Sequence, residues 1–283
     1  MSRAYLKIHH TAGNNANNND DGTVTTSIEG GNVMIINVDR SNKMNGFTPY
    51  MFDEISKAFR VLESDPNLFV GVLCFEGKHT SAGLDMPKFF GPSASTNSSN
   101  NSNENDEDRV DAFSINRRCK KPVVMAVQGV TFTIAIEMML GVDIVIAADD
   151  CRFRQLEPKR GLAVFGGAHV RYVQRAGWGN AMYHLLRADE FNAQRALQLG
   201  FVQEVVPVGK QVTRAIEIAK EICQCAPIAV QEIKRAAFVY LQEGEKAALA
   251  EIPKMRANTL NTEDAKEGMA SFIERRDPIF KGK

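Results

Sequence analysis

One ionisable side chain stands in an otherwise apolar stretch and is the first candidate for chemistry. Glu137 lies in GVTFTIAIEMMLGVD, residues 129 to 143, which predicts a glycine turn followed by a short apolar helix. Burying a carboxylate there is costly unless the group is paired or protonated. A glutamate hydrogen-bonded to a neighbouring strand is one interpretation. We favour a catalytic acid or base with a raised pKa, because such groups cluster at active sites.

The start of the same predicted helix offers a second kind of chemistry. Backbone N–H groups beside Thr133 and Ile134 have no partner within a helix that begins there. They also lie at the positive end of the helix dipole. Donors of this kind stabilise an oxyanion that develops during a reaction. The pattern therefore predicts an oxyanion site close to Glu137.

Two further segments follow predicted strands and are candidates for the same site. Glu157 lies in FRQLEPKRG, residues 153 to 161, and taken alone it is typical of a surface charge. The segment HTSAGLD, residues 79 to 85, is rich in small residues, which let backbone approach a ligand closely. The N–H of Leu84 is therefore a candidate second oxyanion donor, although the segment alone is typical of an ordinary turn.

The elements that must position these residues alternate between short β-branched runs and amphipathic helices. The first helix has Thr48 as a suitable N-cap and Pro49 in its first turn. Strand, helix, strand order implies parallel strands with right-handed crossovers, so the predicted class is α/β. The predicted strands are 33–38, 70–75, 123–127 and 144–147, and the later helices are 167–176, 193–199, 212–225, 227–242, 246–257 and 262–275.

Composition and charge limit the class of protein. The 283 residues, 44% of them apolar, are enough for a sizeable core. Lysine plus arginine and aspartate plus glutamate both total 34, so no net field attracts nucleic acid or an anionic membrane. We therefore expect neither partner.

The five cysteines predict neither a disulfide framework nor a metal site. Their number is odd, and most lie in apolar stretches. Cys223 and Cys225 form a close pair, but no second pair at ligand spacing accompanies them, which favours packing thiols. We expect no bound metal.

Two segments have compositions that cannot support a core. Residues 14 to 21 are rich in asparagine, and residues 92 to 108 read PSASTNSSNNSNENDED. We predict a disordered tail at 1–22, a core at 23–195 with a flexible insert at 92–108, and a C-terminal helical region at 196–283. With no targeting pattern and no apolar run long enough for a bilayer, we expect a cytoplasmic protein.

Several motifs, in their order along the chain, resemble the crotonase (enoyl-CoA hydratase/isomerase) superfamily. The resemblance begins with DRSNKMN at 39–45 and continues through SAGLD at 81–85 and KPVVMAVQG at 121–129. It runs on through Glu137, Glu157, GFVQEVV at 200–206 and FIERR at 272–276. One departure is TFTIAI at 131–136, where the family has a glycine-rich stretch. The resemblance implies a spiral of β-β-α turns with a C-terminal helical region.

The resemblance also implies roles for individual residues. The N–H groups of Leu84 and Ile134 would hold the oxygen of an acyl-CoA thioester. Glu137 and Glu157 fall where hydratases of the family keep their two catalytic glutamates.

A second set of residues would contact the substrate's coenzyme A. Lys43 and Ala82 would line its path, and Phe280 with Lys281 would contact it within a homotrimer or a hexamer. No separate cofactor is implied, because coenzyme A is part of the substrate.

Together with this pair of glutamates, the resemblance implies hydration of 2-enoyl-CoA thioesters, the work of a hydro-lyase in β-oxidation. Water addition places negative charge on the thioester oxygen, while one carboxylate takes a proton from water and an acid delivers one to the α carbon. An enoyl-CoA isomerase, or another crotonase that forms an enolate, is the alternative. An RNA-binding crotonase-like protein is disfavoured, because the helix at 48–64 has only Lys57 and Arg60 as cations.

Overall fold

The computed structural model describes residues 20–91 and 110–283. The predicted insert at 92–108 lies outside these ranges, as do residues 1–19 of the predicted tail. Where the description begins, the chain already contacts the core. Asp20 forms an ion pair with Arg40, and the carbonyl oxygen of Asp21 accepts a hydrogen bond from Thr48.

The described residues form two sheets surrounded by helices. The strands, in chain order, are β1 (Thr23–Glu29), β2 (Val33–Asp39), β3 (Val70–Phe75), β4 (Val123–Val127), β5 (Val130–Phe132), β6 (Ile144–Ala148), β7 (Arg152–Arg154), β8 (Phe191–Asn192) and β9 (Glu204–Val206). The α-helices are α1 (Pro49–Ser64), α2 (Met86–Phe90), α3 (Ile134–Gly141), α4 (Ala168–Arg187), α5 (Ala193–Gln198), α6 (Gln211–Cys223), α7 (Pro227–Glu243), α8 (Glu245–Ala250), α9 (Ile252–Leu260) and α10 (Glu263–Glu274). Short 3-10 helices occur at Ser41–Lys43 and Glu157–Arg160.

The larger sheet contains the buried strands that the sequence predicts. Its order is β1-β2-β3-β4-β6-β9, with β1 antiparallel to β2 and all other neighbours parallel. Every residue of β3 and β4 is buried, which explains why these strands are continuous apolar runs. Helix α6 packs on this sheet through Ala215, Ile218 and Ala219. The four predicted strands are confirmed to within one residue at each end.

A second layer of short extended segments gives the chain its spiral. The smaller sheet has the order β5-β7-β8, and isolated parallel bridges join Phe47 to Leu84 and Ser81 to Thr131. One turn of the spiral is β4, β5 and α3, and the next is β6, β7 and the 3-10 helix Glu157–Arg160. The predicted α/β spiral with a C-terminal helical region is confirmed. Strands β5 and β7 were not predicted, because three residues are too few to show a period.

The predicted helices are present, with corrections at their ends. The side chain of Thr48 accepts a hydrogen bond from the N–H of Met51 at 3.3 Å, as expected for the N-cap of α1. Helix α4 continues to Arg187 through a kink at Gly177, where φ is 73°. The prediction of a single helix at 246–257 was wrong. The chain forms α8 and α9 there, because Pro253 in the first turn of α9 has no N–H to continue α8.

Three properties of the described residues concern chemistry away from the two glutamates. All five cysteines are free, and burial raises the pKa of the Cys74 thiol to about 12 and that of Cys119 to about 11. Within residues 20–91 and 110–283, no group of three or more metal-binding side chains is placed to hold an ion. None of the helices in that part of the chain is long and apolar enough to cross a bilayer.

Candidate active site

Glu137 lies in the first turn of α3 with its side chain only 1% exposed. Its Oε1 accepts hydrogen bonds from the N–H groups of Gly166 and Ala168, each at 2.9 Å. Burial raises the pKa of this carboxyl, while the two N–H donors and the nearby Arg171 and His169 lower it. One donor lies in the turn before α4 and the other is the first residue of α4, so the carboxyl is held at the junction of two helices and not by a neighbouring strand.

The turn that holds Glu137 requires glycine at position 166. A Cβ at that position would lie 2.7 Å from Glu137 Oε2 and 2.8 Å from Ile134 Cδ1. Any side chain would therefore displace the carboxylate or the start of α3. The next residue, Gly167, has a φ of 97°, which glycine adopts without strain. Sequence reasoning did not assign Gly166 to the site, although two glycines before a predicted helix were a visible signal.

Glu157 is the first residue of the 3-10 helix Glu157–Arg160, which follows β7. Burial raises the pKa of its carboxyl to about 7, and repulsion from Glu137 adds to the rise. Hydrogen bonds from N–H groups of its own turn lower the pKa and oppose this rise. Its Oε2 is buried and has no hydrogen-bond partner among the described residues. The fold thus brings together two carboxyls with different surroundings.

Glu157→Gln is expected to stabilise the protein more at pH 8 than at pH 5. The folded-state pKa of Glu157 lies above its unfolded value, so folding becomes less favourable as the pH rises through about 7. A shift from 4.5 to about 7 corresponds to roughly 3 kcal/mol, which solvent screening of this partly exposed group reduces to about 1 to 2 kcal/mol. Denaturant unfolding at both pH values measures the gain. An equal gain at both would contradict the raised pKa.

The backbone N–H groups of Leu84 and Ile134 have no hydrogen-bond acceptor among the described residues. In the bridge that joins Phe47 to Leu84, Phe47 N–H donates to Gly83 O at 2.8 Å and Asp85 N–H donates to Phe47 O at 2.9 Å. The N–H of Leu84 itself therefore points away from Phe47. Ile134 begins α3, so its N–H has no acceptor within the helix. Within residues 20–91 and 110–283, neither group donates a hydrogen bond.

Close packing joins the segments that carry these two donors. A Cβ on Gly83 would lie 2.4 Å from Thr133 Oγ1, so the residues that precede the donors are in contact. Thr133 has φ 52° and ψ −121°, a conformation that costs a residue other than glycine about 1 to 3 kcal/mol. The ψ angle of Thr133 sets the direction of the peptide N–H of Ile134. The departure from the family's glycine-rich pattern therefore places strained backbone beside the N–H of Ile134.

A buried polar cluster supports the turn before the first donor. Arg40, 4% exposed, forms an ion pair with Asp85 at 2.7 Å. The side chain of Asn45 accepts the N–H of Arg40 at 2.7 Å and donates to the carbonyl oxygens of Glu76 and His79. These contacts fix three loops against each other. Sequence reasoning placed Arg40 and Asn45 in a family motif but gave neither a role, because burial of an arginine is not visible in the sequence.

Two of the residues predicted to line the coenzyme A path lie on adjoining loops. Lys43 ends the 3-10 helix Ser41–Lys43 and is exposed. The N–H of Ala82 donates to the carbonyl oxygen of Met44, the next residue, at 3.0 Å. The fold therefore brings Lys43 and Ala82 to the same side of the Leu84 turn.

The other two predicted coenzyme A contacts lie at the carboxyl end of the chain. The N–H of Lys281 donates to Asp264 Oδ1 at 2.7 Å, and Phe280 lies beside Gly268 of α10. These contacts attach Phe280 and Lys281 to α10 of their own subunit. The resemblance implies that they contact coenzyme A within the oligomer, and the contacts with α10 fix where they start from.

Comparison with known proteins agrees with the geometry. The model of the enoyl-CoA hydratase/isomerase family matches residues 29–283. Enoyl-CoA hydratase EchA19 of Mycobacterium tuberculosis is 28% identical over 89% of this chain and 94% of that protein, and carnitinyl-CoA dehydratase of Proteus mirabilis is 29% identical over 89% and 96%. A crystal structure of a probable enoyl-CoA hydratase/isomerase from Mycobacterium abscessus is 36% identical over 93% and 99%, with a TM-score of 0.84. This chain belongs to the enoyl-CoA hydratase/isomerase family, the crotonase superfamily.

Proposed function

We propose that this protein hydrates 2-enoyl-CoA thioesters and that Glu137 and Glu157 are its two catalytic carboxyls. The observation that carries the proposal is the pair itself: two interacting carboxyls from consecutive turns of the spiral, both with raised pKa. Moving a double bond needs one proton shuttle, whereas adding water needs a base and an acid at once. The names of the hydratase and dehydratase relatives support the same class of reaction.

The surroundings of the two carboxyls suggest how they divide the work. Burial raises the pKa of Glu137, but its carboxylate accepts two backbone N–H bonds that stabilise the ionised form, so we assign to it the removal of the proton from water. Glu157, with a pKa of about 7 and an unpartnered oxygen among the described residues, favours its protonated form and gives a proton to the α carbon. Proton transfer from Glu137 to Glu157 then restores the starting state.

The two backbone donors have the complementary task of holding the thioester oxygen. Negative charge grows on that oxygen as the hydroxyl group of water bonds to the β carbon and the enolate forms. The N–H groups of Leu84 and Ile134 stabilise this charge, and loss of one such donor costs roughly 3 to 4 kcal/mol. Because both donors are backbone groups, binding of the thioester does not depend on either glutamate.

A panel of 2-enoyl-CoA thioesters of different chain length tests the proposed function. Hydration removes the conjugated double bond, so the absorbance of the conjugated thioester should fall and a 3-hydroxyacyl-CoA should appear. Product analysis separates the alternatives. Fast double-bond migration with negligible hydration would replace the hydratase proposal by the isomerase, and no reaction with any enoyl-CoA would remove both.

We propose a homotrimer, or a hexamer of two trimers, as the assembly. Large apolar side chains on α10 are exposed, with Met269 at 70%, Phe272 at 85% and Ile273 at 77%. Exposed apolar patches of this kind mark interaction surfaces. We further propose that Phe280 and Lys281 reach coenzyme A on a neighbouring subunit, where Lys43 and Ala82 line its path.

Light scattering at micromolar protein is expected to give three or six times the chain mass of 31.3 kDa. Phe272→Asp should lower this mass, because it places a charge in an apolar interface. Ile28→Asp is the matched control, since Ile28 is an exposed apolar residue on β1, away from α10. A strictly monomeric wild type would contradict the proposed assembly.

A further inference from the structure

Arg171 lies buried beside Glu137, with 8% of its surface exposed. Its Nη1 donates to the carbonyl oxygens of Glu137 at 3.0 Å and Gly166 at 3.2 Å. Its Nη2 donates to the carbonyl oxygens of Ser114, at 2.9 Å, and Phe113. One guanidinium therefore binds four backbone carbonyls from three separate segments of the chain.

Two of these segments hold Glu137, one through its backbone and the other through its carboxylate. Arg171 holds the backbone of Glu137 by donating to its carbonyl oxygen. The N–H of Gly166 holds the carboxylate by donating to Oε1 at 2.9 Å. Since Arg171 also holds the carbonyl of Gly166, both the backbone and the carboxylate of Glu137 are tied to the same guanidinium. A displacement of Arg171 would move both attachments together.

The third segment, Phe113–Ser114, is in close contact with the end of α3. A Cβ on Gly141, at the end of α3, would lie 2.7 Å from the carbonyl oxygen of Phe113. Asp111 holds the same loop by accepting the N–H of Phe113 at 2.7 Å and that of Ile115 at 2.9 Å. Arg171 thus joins this loop to the helix that carries Glu137.

We propose that Arg171 is a positioning residue for the reaction, which clamps Glu137 and the Gly166 turn to the loop Phe113–Ser114. The inference rests on the proposed function, in which Glu137 is the base. Arg171 contacts no reacting atom, and it acts by fixing the orientation of the carboxylate and by supplying positive charge beside it. Both effects favour the ionised carboxylate that takes a proton from water.

The charges around this pair predict the direction of the pH effect. Arg171 and His169 of α4 favour ionisation of Glu137, while Glu157 faces it as a like charge. Asp111, Arg118 and Arg175 surround the guanidinium of Arg171 itself. Removing the positive charge of Arg171 should therefore raise the pKa of Glu137. The pH below which activity falls should then be higher than in the wild type.

The test compares pH profiles of kcat/KM for three variants. Arg171→Gln should move the acidic limb up by about one pH unit and lower kcat about tenfold to a hundredfold, with KM nearly unchanged. Arg171→Lys keeps the charge but loses the forked geometry, so kcat should fall while the limb stays in place. Arg175→Gln is the matched control on the same helix, because Arg175 binds the carbonyls of Leu140 and Val142 and not Glu137. The acidic side of the pH profile of Arg175→Gln should stay where it is in the wild type.

Each outcome decides between positioning and simple stabilisation. If the limb of Arg171→Gln moves no further than that of Arg175→Gln, Arg171 only stabilises the fold and the inference is overturned. If Arg171→Gln does not fold, Arg171→Lys decides, and an unchanged kcat in that variant overturns the inference. Glu137→Gln distinguishes the two proposals: if it retains full hydration, the proposed function fails whatever the Arg171 variants show.

Discussion

Glutamine at position 137 or at position 157 is expected to lower hydration of a good 2-enoyl-CoA substrate by about a hundredfold to ten-thousandfold, the range for a positioned acid or base. This corresponds to roughly 3 to 5 kcal/mol of transition-state stabilisation. The amide side chain nearly preserves the shape of the carboxyl but neither accepts nor delivers the proton. Binding of the thioester should persist, because the oxyanion donors are backbone groups. Separate measurements of kcat and of thioester affinity check both expectations.

The double variant and a surface control make this experiment decisive. Glu137 and Glu157 act on one water molecule as a unit, so the double variant should lose less than the product of the two single losses. Glu190→Gln is the control, since the carboxylate of Glu190 pairs with the exposed Arg152 and touches neither of the two glutamates among the described residues, and it should remain active. Intact hydration in Glu157→Gln, together with a destabilised Glu137→Gln, would make Glu137 a structural carboxylate and remove the two-glutamate mechanism.

Alanine at position 166 is expected to lower kcat by about tenfold to a hundredfold, because misplacement of a catalytic group by about 1 Å has effects of this size. Its Cβ would lie 2.7 Å from Glu137 Oε2 and 2.9 Å from Glu137 Cβ, so the carboxylate must move. The backbone at Gly166 does not have a positive φ, so the effect is steric and not conformational. Steady-state kinetics together with thermal unfolding separates loss of geometry from loss of fold.

The matched control for this substitution is Gly179→Ala in α4. A Cβ at Gly179 meets no atom within 4 Å, and alanine favours a helix over glycine by about 0.5 to 1 kcal/mol. This variant should keep full activity and gain slightly in stability. If Gly166→Ala were as active as Gly179→Ala, the Gly166 turn would have room for a side chain. The claim that a side chain at position 166 displaces the carboxylate of Glu137 would then be disproved.

The elements with strong periodicity could be predicted from the sequence alone. Strands β3 and β4 are buried on both faces, so their sequences are continuous apolar runs with clear ends. Helix α1 was equally readable, because Thr48 caps it and its buried residues recur at helical spacing. In each case the local residue types and the tertiary environment favour the same structure. The prediction was wrong at 246–257, where a local signal was missed: Pro253 lacks an N–H and divides the predicted helix in two.

Glu137 could be recognised as a candidate without a structure, because a lone carboxyl in an apolar helix is unusual in any sequence. Glu157 could not be recognised in this way, since its neighbours Lys159 and Arg160 are typical of a solvated turn. Its link to Glu137 came from the order of family motifs. Only the fold shows that burial and the nearness of Glu137 raise its pKa to about 7.

The tertiary structure alone decided how the site is held. Gly166, Arg171 and the strained Thr133 act through contacts with residues far away in the chain, and no local pattern records which backbone groups a side chain will meet. The sequence determined which segments become buried strands and helices, because burial follows from residue type and period. The packing of those segments determined which N–H groups stay unpaired and which carboxyl has its pKa raised to about 7, because both depend on the distances and the solvent exclusion that the complete fold creates.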